Sequence, residues 1–406
     1  MIKVGAMQPS KPARSLALVT ALKRYPWIGW AGWGALVIAI LWGMHPRRFG
    51  SAFQYYLDFA AKLWAEQTIY DPSTLGDVSY WPTSLLLMVP LTTLAPVIAA
   101  SIAFSVFAAL FTYAAVALST SLIDDRRQAT WLAGLLLVVN IWPGWYHFKQ
   151  VQLHIPMIAA MMLAAAAIVR ERWTAAGLWL GLALFCKPLA LVMILLAGAL
   201  LPRMRSVLAL GVVAGVALPF AFLNFDYTVT QYQLLGLKLW AVATAAPGEW
   251  IYQADFTTLM RAGGIVLPGT VSFAVRLLVA LGTLWLAWRV RSTGDCKALG
   301  LALLLLSGCY ITLFGPRNEY LSYLAVTPAI AALALLILLR DERDWRGWLL
   351  LAACQVLGFG MNLAVATVLK PAVVLVIYVW IAWLMARPER WRATIEQRAS
   401  AVVKAP

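Results

Sequence analysis

Apolar runs long enough to cross a bilayer recur along almost all of this sequence, and they narrow the fold more than any motif in it. A bilayer core of roughly 30 Å needs about 20 apolar residues per helical crossing. Such runs fall near 26–44, 97–122, 128–142, 151–169, 206–224, 270–290, 298–315, 321–340, 346–366 and 371–386. Composition agrees: 63% of the 406 residues are hydrophobic and 12% are charged, whereas about a quarter of a soluble domain is charged. The expected class is an all-α polytopic integral membrane protein of about 11–13 transmembrane helices, with amphipathic surface helices in its outer loops. A disulfide scaffold is excluded, because Cys186, Cys296, Cys309 and Cys354 are scattered without CxxC spacing. With three histidines in the chain, no metal site and no cofactor are expected.

Two stretches depart from the simple pattern. Residues 174–201 form one apolar run broken at Lys187-Pro188. Proline disfavours helix at its predecessor and lacks a donor, so the run reads as a hairpin of two short helices. Residues 83–95 are also short and contain Pro90, so they read as a segment that dips in without crossing. The first apolar run starts at Pro26, behind a basic stretch, and reads as a retained signal anchor. The expected organisation is a basic N-terminus (1–25), one transmembrane domain (26–386) with outer loops 45–82 and 225–269, and a basic tail (387–406). Loops that long usually carry a function.

Lys and Arg beside membrane spans gather on the cytoplasmic side. With both termini inside and 174–201 as a hairpin, 22 of the 32 basic residues lie on the inner side, against 9 of the 17 acidic ones. The net charge of +15 is therefore mostly an orientation signal, and no nucleic-acid partner is expected. On the outer side gather loop 45–82, the turn 143–150, the Lys187 tip, loop 225–269 and the turn at Arg317-Asn318-Glu319.

Several residues there could carry chemistry. Phe53 to Trp64 has the spacing of an amphipathic helix and bears Asp58; it reads either as a solvated surface helix or as the holder of a general base. A lysine inside an apolar run is costly and by default marks a site. Lys187 is such a residue, suited to pair with a phosphate as a point charge. Arg317 and Glu319 read equally as a salt-bridged turn or as further phosphate or sugar contacts. Gln150 and Gln152, beside His147, could hydrogen-bond sugar hydroxyls from the start of the 151–169 span. Loop 225–269 offers Asp226, Tyr227, Lys238, Glu249, Trp250 and Asp255 without a specific motif.

Taken together, three elements resemble glycosyltransferase family 87, enzymes of the GT-C superfamily that use polyprenyl-phosphate sugars. The first is a surface helix ending in LWAEQTIYDP, followed by Tyr80-Trp81-Pro82. The second is KQVQLHIPM with the later TAAGLWLGLALFCKPLALVMILL, similar to the family's Gly-Gln-x-Asn and Lys-Pro segments. The third is PRNEYLSY. Gln150 matches, while Lys149 and Gln152 stand where the family has Gly and Asn. The family's Asp-Phe-x-x-Tyr reads Ala52-Phe53-Gln54-Tyr55-Tyr56 here, so its acid position falls on Ala52. The resemblance adds Tyr56 and Tyr80 to the site residues.

The resemblance implies transfer of a sugar, with mannose the sugar it suggests, from polyprenyl phosphate to a lipid or glycan acceptor outside the cytoplasmic membrane. With Ala52 at the family's acid position, the base would be Asp58 or another acid of the outer side. Two rivals stay open at this stage: a transporter or flippase of an anionic or lipid-linked substrate, which also uses broken helices, and an inactive lipid-binding relative.

Overall fold

The computed structural model describes residues 25, 27–43, 51–74, 80–244, 253–315, 318–319, 322–359 and 363–396. The N-terminal basic stretch, Arg317, Asp77, Glu249 and Trp250 lie outside them. Among the described residues there is no β-strand; Gln253 and Glu319 form an isolated antiparallel bridge.

The helices are α1 (Trp27–Gly43), α2 (Ser51–Trp64), α3 (Pro82–Leu86), α4 (Pro96–Leu122), α5 (Arg126–Val139), α6 (Ile141–Lys149), α7 (His154–Val169) and α8 (Trp173–Cys186). There follow α9 (Leu191–Leu200), α10 (Arg205–Ala217), α11 (Phe225–Thr244), α12 (Phe256–Ala262), α13 (Gly269–Arg291) and α14 (Cys296–Phe314). The last are α15 (Thr327–Arg340), α16 (Trp345–Gly358), α17 (Leu363–Met385) and α18 (Pro388–Ile395). Among the described residues, five helical segments are long and apolar enough to cross a membrane: Pro96–Leu122, Pro202–Ala221, Gly269–Arg291, Cys296–Phe314 and Leu363–Met385. Six shorter apolar stretches of 10–17 residues accompany them. The chain is thus an all-α, multi-pass membrane protein.

The centre is built from α7, α14 and α15, which are buried on nearly every side. Helices apolar all round belong in such a position. The outer ring is lipid-facing: α10 and α13 leave Leu210, Val213, Leu278 and Leu281 exposed. Small residues let helices approach closely, as is usual in membranes. An added Cβ on Gly29 would meet the Gly134 backbone at 2.6 Å, and one on Gly32 would meet Val138 at 3.3 Å. Rising residue numbers on both sides make α1 and α5 parallel. Because α4 and α5 are joined by a tight turn capped by Asp125, α4 starts at the end where α1 finishes. Residues 83–95, which form α3 and a 3-10 turn at Val89–Thr93, therefore make no net crossing.

The Lys187-Pro188 run resolves in the same way. Gly177 approaches Val207, Gly181 approaches Gly211, and Gly215 approaches Phe185, so α8 and α10 run parallel. The short α9 between them must run back, and the run is a hairpin with its arms splayed onto different neighbours.

One expected boundary was wrong. The span read as 371–386 begins at Leu363, and α17 continues through Pro371. Proline is tolerated in membrane helices where neighbours re-satisfy the freed carbonyl, so the Lys370-Pro371 pair does not break this helix as Lys187-Pro188 breaks its own. The outer connection 225–269 holds the 20-residue α11 and the short α12, in keeping with the helices expected in the outer loops.

Candidate functional site

The bundle has two chemically different ends. At one end lie Lys297 with Asp124 at 3.1 Å, Arg392 with Asp295 at 3.3 Å, and Arg170 donating to Thr120 Oγ1 at 2.6 Å. This is the basic end expected to face the cytoplasm. The opposite end carries the groups that converge on Lys187.

Lys187 ends α8 in an extended conformation (φ −158°, ψ 136°), because Pro188 cannot continue the hydrogen-bond ladder. Its ammonium lies 2.7 Å from His154 Nε2 and sits over the Tyr80 ring, 5.2 Å from the centroid. The Tyr80 hydroxyl meets that of Tyr56 at 2.9 Å, and the rings pack edge to face. Burial pushes the pKa of both phenols well above the ordinary value, so both remain neutral donors at working pH. Glu319 is within electrostatic reach of Tyr56, Tyr80 and Lys187.

The glutamines sit on an unusual turn. Helix α6 ends with Val151 N–H donating to Phe148 O at 3.1 Å and Gln152 N–H donating to His147 O at 3.0 Å. That is a Schellman closure, whose left-handed position is normally glycine. Here the position is the fully buried Val151, with φ +48°. A β-branched residue in this region is a genuine outlier costing roughly 1–3 kcal/mol. The turn sends the two flanking amides to separate tasks. Gln150 Oε1 accepts the Ala52 N–H at 3.1 Å, while Gln152 Oε1 lies against His147 Nδ1 and 3.2 Å from His154 Nδ1.

A clip holds Glu319 in place. Ala254 N–H donates to Asn318 O at 2.8 Å, and Ala254 O accepts from Asn318 Nδ2 at 3.1 Å and from the Tyr323 hydroxyl at 3.0 Å. Next to it, Asp255 caps α12 and pairs with Arg276 at 3.2 Å.

The structure therefore brings Lys187, Glu319, Tyr56, Tyr80, His147 and Gln152 to one end of the bundle, with Gln150 beside Ala52. Asp58 is not in that cluster. It is exposed and accepts from Gln54 Nε2 at 2.8 Å, two residues along α2 from the buried Tyr56. Sequence reasoning missed His154, which stands in the same KQVQLHIPM segment as Gln152. A polar ring at the start of an apolar helix was the available signal. It also missed the Asp255–Arg276 pair, whose members are 21 residues apart. Among the described residues, no group of three or more His, Cys, Asp or Glu could hold a metal ion.

Residues 78–316 match the family model described as Glycosyltransferase family 87. No curated protein matches the chain. A solved structure similar to it is the apo crystal structure of the Archaeoglobus fulgidus oligosaccharyltransferase. The two share 14% identity at a TM-score of 0.41, covering 91% of this chain and 56% of that one. The chain thus spans little more than half the length of that protein.

Proposed function

The chain belongs to glycosyltransferase family 87, and from that premise we propose that it moves a sugar, mannose by family resemblance, from a polyprenyl phosphate to a lipid or glycan acceptor at the outer face of the cytoplasmic membrane. The observation that carries the reading is Lys187. It is a cation at a helix break, at the end of the bundle opposite the basic one, with hydroxyl, imidazole and carboxylate groups around it.

The transfer is a single inverting displacement. The acceptor hydroxyl gives its proton to a carboxylate as its oxygen bonds to the anomeric carbon. The bond from that carbon to the phosphate oxygen breaks, and its electron pair leaves on polyprenyl phosphate. Lys187, with Arg317 as a second cation, offsets the charge that develops on the departing phosphate. Tyr56 and Tyr80 present neutral hydroxyls to the sugar. Glu319 is the carboxylate better placed for the proton, since Asp58 faces outward. No cofactor takes part beyond the lipid-linked donor as co-substrate.

The test is a transfer assay using radiolabelled polyprenyl-phospho-mannose and membranes containing the chain. Removing a preorganised charge-stabilising donor costs about 100-fold or more in turnover, so Lys187→Ala should lose nearly all transfer. Unchanged transfer by that variant refutes the phosphate assignment. Glu319→Gln should fall as far, while Asp58→Asn stays near wild type; the reverse result returns the base to Asp58. Activity found only after Ala52→Asp marks the native chain as an inactive relative.

A further inference from the structure

Lys187 has a flexible four-carbon stem and a compact charge, so something must aim it. Its nearest polar partner is His154, at 2.7 Å from Nε2 and 3.3 Å from Nδ1. An ammonium has donors only, so at this distance the ring nitrogen it tolerates best is one that carries no proton. The imidazole proton then belongs on Nδ1, where Gln152 Oε1 stands at 3.2 Å to accept it. The same oxygen faces His147 Nδ1. Turning the amide over would place its NH2 against both Nδ1 atoms. His154 would then carry its proton on Nε2, with the ammonium only 2.7 Å away. The charge of Lys187 therefore sets the amide orientation, and the amide sets the tautomer of each ring. The strained turn at Val151 and the Gln152 N–H bond to His147 O fix the amide from the backbone side.

From this geometry the structure assigns His154 and Gln152 as positioning residues for Lys187, holding its ammonium toward the phosphate of a lipid-linked donor. The assignment rests on the reading of Lys187 as the phosphate partner. A neutral imidazole suits the task better than a carboxylate. It takes one of the three N–H donors, leaves two for phosphate oxygens, and cancels none of the positive charge. His154 touches neither the sugar nor the acceptor in this arrangement; it acts through Lys187.

The test uses the full chain in detergent and radiolabelled short-chain polyprenyl phosphate without sugar as the probe. Lys187→Ala should bind it weakly. His154→Leu removes the acceptor and should weaken binding by about tenfold, the scale of a hydrogen bond to a charged group. His154→Gln restores an acceptor oxygen near the Nε2 position and should recover most of the loss. Independently, 15N spectra of histidine-labelled wild-type protein should show His154 as the Nδ1–H tautomer. Gln152→Leu should abolish that signature. With three histidines in the chain, the ring signals can be assigned by single replacements. An Nε2–H tautomer for His154 in the wild type overturns the inference whether or not the variants fold. So does equal binding by His154→Leu and His154→Gln. Full binding by Lys187→Ala overturns the phosphate reading itself. Weak binding by Lys187→Ala beside full binding by His154→Leu overturns the positioning role alone.

Discussion

Asp255→Ala should be one of the most destabilising single substitutions at the site end of the bundle. The two carboxylate oxygens accept five hydrogen bonds: from Thr257 N at 2.9 Å, Thr257 Oγ1 at 2.6 Å, Thr258 N at 3.3 Å, Gln253 Nε2 at 3.0 Å and Arg276 at 3.2 Å. The Asp255 side chain is fully buried and that of Arg276 is 11% exposed. Water therefore cannot replace the lost partner cheaply. Losing an N-cap costs about 1 kcal/mol, and stripping one member from a buried pair costs about 3–5 kcal/mol. These overlap, so the larger range is the expectation. Function should fall too, because Ala254 and Gln253 fasten Asn318 and Glu319. The assay is thermal melting in detergent, run beside transfer activity, for Asp255→Ala, Arg276→Leu and the combined variant. Removing both charges is far less costly than removing one, so the combined variant should melt above Asp255→Ala alone. Asp255→Ala melting with the wild type would refute the reasoning. Strictly additive losses would refute the pairing.

Four other outcomes follow. Gly358→Ala puts a Cβ 2.5 Å from Pro143 N, against backbone that cannot swing aside; it should cost about 1–3 kcal/mol. Gly236→Ala meets nothing within 4 Å on α11 and should stabilise by up to about 1 kcal/mol; the order of their melting temperatures checks both. At the basic end, Arg346 donates to both oxygens of Asp344 and holds its carboxyl below the usual pKa. A depressed carboxyl stabilises the fold above its unfolded pKa of about 3.9 and loses that contribution as the pH falls below it. Asp344→Asn should therefore melt lower at pH 7 but match the wild type in strong acid. Finally, Ser73→Cys should react with a membrane-impermeant maleimide on intact cells, while Glu389→Cys should not; the opposite pattern would invert the orientation.

How far the site could be read in advance depended on where each residue's environment is made. The spans and the hairpin were legible because hydrocarbon selects them by local composition, and Lys187-Pro188 interrupts a helix through its own covalent geometry. Lys370-Pro371 has the same two residues and no break: α17 runs through it from Leu363 to Met385, so the pair alone does not decide the outcome. Asp58 shows a limit of a different kind. Two residues are about 200° around a helix, so once Tyr56 faces inward Asp58 must face away, and the spacing alone argued against it.

Glu319 is the contrary case. Nothing within PRNEYLSY distinguishes a salt-bridged turn from a site carboxylate, because the decision is taken 64 residues away, where Ala254 receives Asn318. The same holds for Lys187, whose aim depends on an imidazole 33 residues earlier. The clip and the imidazole should therefore fail in distinguishable ways. Asp255→Ala loosens the acceptor side and should depress turnover with polyprenyl phosphate binding intact. His154→Leu loosens the donor side and should weaken binding first. Both variants losing binding to the same extent would mean that the two halves of the site are one cooperative unit, and the division of labour between Glu319 and Lys187 would fall.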